Sequence, residues 1–292
     1  MSPTPSDAAP TASAPEGSAS GEPAFLSAYE KADAEHLDPR CVPQTLDRPP
    51  PVGDAILYPG YSEIDQETWR ILHARQTAFL PGRACDAYLH GARTLTLDGQ
   101  RIPALRDLSA RLDAATGWNV ARVPGLVHER DFFDLLARRV FPSTDYIRGR
   151  EELDYTPAPD LFHDIFGHMP MLTEPDFADF YQRFGQAALQ ATGYQRVQME
   201  RLHWFSVEFG LVRQTVDDGT TARRIFGAGI LSSHGEVQHA LSDAVEVRPY
   251  DIAAVAEQDY DVWHLQPLLF ELDSFEQLVT DFTGWATAEG LL

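Results

Sequence analysis

The 292-residue sequence predicts a mainly α-helical fold with a small β portion. Three observations carry this: several segments repeat apolar residues at a helical period, strand-like runs are few and short, and no tandem repeat or coiled-coil heptad intervenes. In chain order, 64–79 (IDQETWRILHARQTAF) and 103–115 (PALRDLSARLDAA) are amphipathic helices. Residues 129–138 (ERDFFDLLAR) make a shorter helix with acidic residues at its start, where they suit the helix dipole. Residues 175–192 (PDFADFYQRFGQAALQAT) are again amphipathic, and 199–214 (MERLHWFSVEFGLVRQ) reads as a helix. The strand-like pieces are 119–123, 195–199, 223–226 and 245–248, taken as minor β hairpins. After 275–287 only five residues follow to Leu292, so no long oligomerisation helix is expected.

Residues 1–23 are almost entirely Pro, Ala, Ser, Thr and Gly, too apolar-poor to offset their ordering entropy, and are expected to be a disordered tail. No second low-complexity break follows, so 24–292 is expected to be a single domain. The formal net charge of −21, with no Lys/Arg block, argues against nucleic acid and against an anionic membrane surface. Cys41 and Cys85 form no CxxC and no disulfide framework, so a reducing compartment is expected. With neither a signal peptide nor an 18-residue apolar span, the expectation is a cytoplasmic protein.

Certain polar residues sit among apolar ones. On the 199–214 helix Glu208 shares a face with Trp204, Phe205, Leu211 and Val212. Such a carboxylate lies at the rim of the face, or is buried and met by a metal or a cation. His163 and His168 are five residues apart, about 140° around an ideal helix, unlike the one-turn pair of a zinc protease. They can converge at a helix terminus, or where the backbone loosens beside Gly167; otherwise they are core histidines. Two imidazoles and a carboxylate from a second helix have the composition of a facial iron site with three open positions, and three-ligand zinc is the plainer metal alternative. Arg148 could clamp a carboxylate bidentately or serve a structural ion pair. The 226–236 run, with Ser232 and Ser233, could wrap a small ligand, and His234 is open as a further ligand. No catalytic role falls to the remaining histidines, His203 included. Phe132, Phe133, Trp204 and Phe205 are core residues or the wall of a planar-substrate pocket.

Five blocks in order, ARVPGLV (121–127), YIRG (146–149), YTPAPDLFHDIFGHMP (155–170), WFSVEFGLVRQ (204–214) and FGAGILSSHGEVQHAL (226–241), resemble the pterin-dependent aromatic amino acid hydroxylases, and most closely the bacterial phenylalanine 4-hydroxylases. The resemblance covers roughly residues 55–285 and implies a basket-like catalytic domain. It implies that His163, His168 and Glu208 carry Fe(II), and that Arg148 binds the substrate carboxylate. Thr156 and Asp160 would help to hold the amino acid, with Ser232 on the far side. Phe132 would stack on the pterin, the backbone at Val123, Gly125, Leu126 and Val127 would line its pocket, and Asp164 would reach pterin or iron-bound water. Trp204 resembles the residue of phenylalanine and tyrosine hydroxylases, where the tryptophan enzyme has Phe. Val262 resembles that of the phenylalanine enzyme, where tyrosine hydroxylase has Asp. The implied reaction takes tetrahydrobiopterin or a bacterial analogue with O2 and passes through an Fe(IV)-oxo species to convert phenylalanine to tyrosine.

Asp164 stands where the animal phenylalanine enzyme has Glu, and His203 replaces an aromatic. No counterpart of the animal regulatory domain or tetramerisation helix is expected, and the protein is expected to be a monomer acting on a small molecule, with separate enzymes recycling the pterin. Tryptophan or tyrosine hydroxylation is the nearest alternative, since one apolar contact discriminates by only about 1–3 kcal/mol. A metal-dependent hydrolase and a non-catalytic binding protein are the remote ones.

Overall fold

Ser62 starts the first long helix. Its hydroxyl accepts from the Asp65 amide while the Asp65 carboxylate accepts from the Ser62 amide, and this capping box leads into Glu63–Phe79, with Trp69 and Leu72 wholly buried. The computed structural model describes residues 39–154, 156, 158–262 and 264–292, and the expected 1–23 tail lies outside them. Further helices run over Asp86–Thr94, Leu105–Thr116, Glu129–Ala137, Pro175–Gln190, Tyr194–His203 and Phe275–Ala288. Among the described residues none is long and apolar enough to cross a membrane.

The Pro175–Gln190 helix is the centre of the core. Phe177, Phe180, Tyr181 and Phe184 recur along its inner face and are buried; Phe180 and Phe184 meet Phe282 of the last helix at 5.4 and 5.1 Å between ring centroids. Each such aromatic contributes roughly 2–3 kcal/mol by leaving water. Its outer neighbour is Glu129–Ala137, and the two helices touch backbone to backbone at Gly185, where a Cβ would lie 2.6 Å from the Ala137 nitrogen. Only glycine permits that approach.

The strands are β1 (Asn119–Arg122), β2 (Val140–Ser143), β3 (Leu211–Thr215), β4 (Thr221–Ile225), β5 (Glu246–Pro249) and β6 (Leu268–Leu272). β1 and β2 pair in parallel with Asn119 opposite Val140, linked through the Glu129–Ala137 helix. The other four form a sheet ordered β4-β3-β6-β5, in which only the β3–β4 pair is antiparallel. The expected hairpins therefore reduce to one.

Two further expectations are corrected. Residues 195–199 lie inside the Tyr194–His203 helix, because Met199 and Leu202 bury a face three residues apart, a helical spacing. The expected 199–214 helix is three pieces: the α-helix ends at His203, Trp204–Glu208 is a π turn, and β3 follows. Gly210 makes the break, since the chain there passes so close to Phe226 that a Cβ would stand 2.1 Å from its ring. Leu211 and Val212 consequently share no helix face with Glu208. Strands β2, β3 and β6 were not expected; β2 and β6 are buried along their whole length and show no alternation.

Candidate active site

Both segments that carry the singled-out histidines and glutamate are π-helical. The Met169 amide reaches the Asp164 carbonyl at 3.3 Å and the Phe209 amide reaches the Trp204 carbonyl at 2.8 Å, each five residues back. A π turn closes on the fifth residue, so it stacks positions that an α-helix would splay. His163 and His168 thus face one another with Nε2 atoms 3.0 Å apart. Glu208, ending the second π turn, places Oε1 3.2 Å from His168 Nε2 and Oε2 3.5 Å from His163 Nε2. Gly167 acts through packing: a Cβ there would meet the Ala228 carbonyl oxygen at 2.8 Å, so its absence lets this turn seat against Ala228–Leu231.

Hydrogen bonding sets the tautomer of His163. The Ser232 hydroxyl donates to the Ala228 carbonyl at 2.9 Å, so its oxygen accepts from His163 Nδ1–H at 3.1 Å. Nε2 then presents a lone pair to the cluster. Burial holds the His163 imidazole down to about 4 although Glu208 pulls the other way, so the ring is neutral at pH 7. Burial opposes ionisation of Glu208, but His168 and His163 beside it outweigh that and hold it well below the usual carboxylate range. Lone pairs on two imidazoles and a carboxylate, all within 4.8 Å of one another, form a donor set that could hold a divalent cation.

Arg148 is fixed by Asp160. Its amide and Nε donate to Asp160 Oδ2 at 2.8 and 2.9 Å, and Nη2 donates to Oδ1 at 2.8 Å. Burial alone would raise the Asp160 carboxyl, but the guanidinium lowers it overall. Asp160 Oδ1 also accepts from the His163 amide at 3.0 Å, tying the arginine to the histidine turn. Nη1 is the corner of the guanidinium that Asp160 does not engage.

These groups border one cavity of about 240 Å³. Val123, Gly125, Leu126, Val127, Phe132, Arg148, Thr156, Asp164, Trp204, Ser232 and Val262 line it together with His163, His168 and Glu208. Asp160 does not; it is wholly buried behind Arg148. The 123–127 segment is held from outside by Gln44, whose amide donates to the Leu126 carbonyl at 2.8 Å. Trp204 is clamped by Tyr260, stacked 4.4 Å away, and its Nε1–H donates to Gln266 at 3.2 Å. The Asp164 carboxylate accepts from the Thr144 amide and hydroxyl at 2.7 and 3.0 Å, yet burial pushes it up to about 7. His234 is outside the cluster and packs on Phe79, 4.2 Å between centroids.

A family model for biopterin-dependent aromatic amino acid hydroxylases matches residues 50–289. The chain belongs to this family. It is 43% identical over 238 residues to the phenylalanine-4-hydroxylase of Ralstonia nicotianae, covering 80% of this chain and 74% of that one. The fold matches the apo structure of the cold-active phenylalanine hydroxylase of Colwellia psychrerythraea with a TM-score of 0.73 and 36% identity, over 82% of this chain and 95% of that one. It matches the Chromobacterium violaceum phenylalanine hydroxylase with bound iron(III) and 7,8-dihydrobiopterin equally, at TM-score 0.73 and 39% identity, over 79% and 83% of the two chains. The expected basket-like catalytic domain is therefore the fold of this chain.

Several cavity residues received no role from the sequence, His203 and Glu236 among them. His203 pairs through Nε2 with the Tyr181 hydroxyl at 2.9 Å and brings Nδ1 to 3.8 Å from Glu208 Oε1; burial lowers it to about 4. Its place just before the block that opens at Trp204, where it replaces an aromatic, was the available signal. Glu236 lies in another recognised block, three residues beyond Ser233, whose hydroxyl accepts from its amide at 3.3 Å.

Proposed function

We propose that this protein hydroxylates L-phenylalanine to L-tyrosine, using Fe(II), a tetrahydropterin and O2. One oxygen atom enters the ring and the other leaves on the pterin. The observation that carries the reading is the convergence of His163, His168 and Glu208 donor atoms on a cavity bordered by the aromatic, arginine and backbone groups that two organic partners need. His163, His168 and Glu208 would hold the iron. Iron and tetrahydropterin supply the oxygen activation that side chains lack.

The chain's own groups do the positioning. Arg148, held rigid by Asp160, offers Nη1 to the substrate carboxylate, and a guanidinium fixed in advance loses little freedom on binding. Thr156 and Ser232 lie on the walls beside it, while Trp204 and Val262 face the aromatic ring. Phe132 and the backbone at 123–127 form the pterin side, with Asp164 between pterin and metal. The apolar surround keeps bulk water from the reacting atoms. A monomer served by a separate pterin reductase completes the proposal, since each turnover oxidises one tetrahydropterin.

The test is oxygen uptake by Fe(II)-loaded protein with a tetrahydropterin and phenylalanine, tyrosine or tryptophan in turn. The expected result is tyrosine from phenylalanine in step with O2 consumed. Preference for another amino acid would overturn the roles of Trp204 and Val262, and folded, iron-loaded protein without amino-acid-dependent uptake would overturn the reaction.

A further inference from the structure

Five carboxylates line the cavity: Glu129, Asp164, Glu200, Glu208 and Glu236. Glu129 is paired with Arg196, Asp164 accepts from Thr144, Glu208 faces the two histidines, and Glu200 is partnered. Glu236 alone has neither a hydrogen-bond donor nor a cation on its carboxylate among the described residues. It is 6% exposed, and that exposure opens into the cavity. Its backbone is fixed, because the Ser233 hydroxyl caps the His234–Ala240 helix through the Glu236 amide. A buried carboxylate without a partner costs stability, and a carboxylate that borders a ligand cavity acquires its partner when the ligand binds.

The cavity's one arginine is Arg148, and its engagement by Asp160 leaves it matched to a single further carboxylate. An α-amino acid brings an ammonium as well, and the hydroxylase reading above gives it hydroxyls but no anionic partner. We propose that Glu236 binds the ammonium group of the amino acid substrate, so that Arg148 and Glu236 hold the two charges of the zwitterion and together aim its ring at the metal side. This rests on the proposed function and names a specificity determinant for it. Burial pushes the Glu236 carboxyl up to about 7, which fits a group awaiting a positive charge.

The test compares binding of L-phenylalanine and of 3-phenylpropanoate, which has the same ring and carboxylate but no ammonium, by calorimetry on anaerobic protein holding Fe(II) and tetrahydropterin. Wild type is expected to favour phenylalanine strongly. Glu236→Gln, nearly isosteric and lacking the charge, is expected to bind phenylalanine about 10- to 100-fold more weakly. Its affinity for 3-phenylpropanoate should be unchanged or higher, and the KM for pterin unchanged. A structural role would instead weaken both ligands together. Equal loss for both, or no loss for either, overturns the assignment alone, with tyrosine formation by wild type leaving the hydroxylase reading intact. Wild-type protein that binds neither phenylalanine nor its analogue would overturn both.

Discussion

His163 Nε2 and His168 Nε2 stand 3.0 Å apart with Glu208 Oε1 3.2 Å from the latter. The Ser232 contact makes the His163 atom a bare acceptor, so the cluster is held together by a proton on His168 or by a cation among the three donors. A cation satisfies all three at once, and the predictions below follow from that.

Removing the carboxylate removes the only anionic member of the donor set. Glu208→Ala is expected to lose iron affinity by roughly 100-fold or more, beyond the range seen for outer-shell partners, and tyrosine formation with it. Iron content after equilibrium dialysis measures this. Retention of one equivalent of iron at wild-type affinity would contradict the assignment of Glu208.

Ser232→Ala leaves the metal donors in place but frees His163 to present N–H toward the cluster. Iron affinity should fall by about 10- to 100-fold while thermal stability changes little. Metal titration and a thermal melt separate the two. A large loss of stability with unchanged iron affinity would show that Ser232 acts on the 228–231 turn instead.

Gly167→Ala puts a methyl group 2.8 Å from the Ala228 carbonyl oxygen, a backbone atom that cannot rotate away. The expected cost is about 1–3 kcal/mol, with His168 displaced and iron bound more weakly. Denaturant unfolding and metal titration on the same sample check both halves.

Glu236 sets a pH dependence. Burial raises its carboxyl from 4.5 to about 7. Between those values the folded protein keeps a proton that the unfolded chain has released, so stability falls as pH rises through this window and levels above it. Glu236→Gln cannot titrate, and its stability relative to wild type should grow across the window by up to about 3 kcal/mol. Unfolding of both proteins without substrate at about pH 5 and about pH 8 tests this. A difference independent of pH would mean that the carboxyl is paired.

The helices were legible where local signals agreed with packing, as at Ser62 and Asp65, whose reciprocal cap opens the first long helix. The three proposed metal donors were legible by composition and order, but their geometry was not. Periodicity on an α-helix sets His163 and His168 far apart, and nothing in the one-dimensional pattern announces a turn that closes on the fifth residue. The same assumption ran a helix through Trp204–Glu208 into β3. Glu236 and His203 stayed hidden for a different reason. The first is conspicuous only because partners are absent in space, and the second pairs with Tyr181, 22 residues away.

The most direct test of the central claim is turnover under 18O2 by protein loaded with Fe(II) and tetrahydropterin, with L-phenylalanine as substrate and mass analysis of the product. The account predicts tyrosine whose new hydroxyl carries 18O, formed by wild type and lost in Glu208→Ala. Tyrosine carrying oxygen from water, or no tyrosine from folded and iron-loaded wild-type protein, would contradict it.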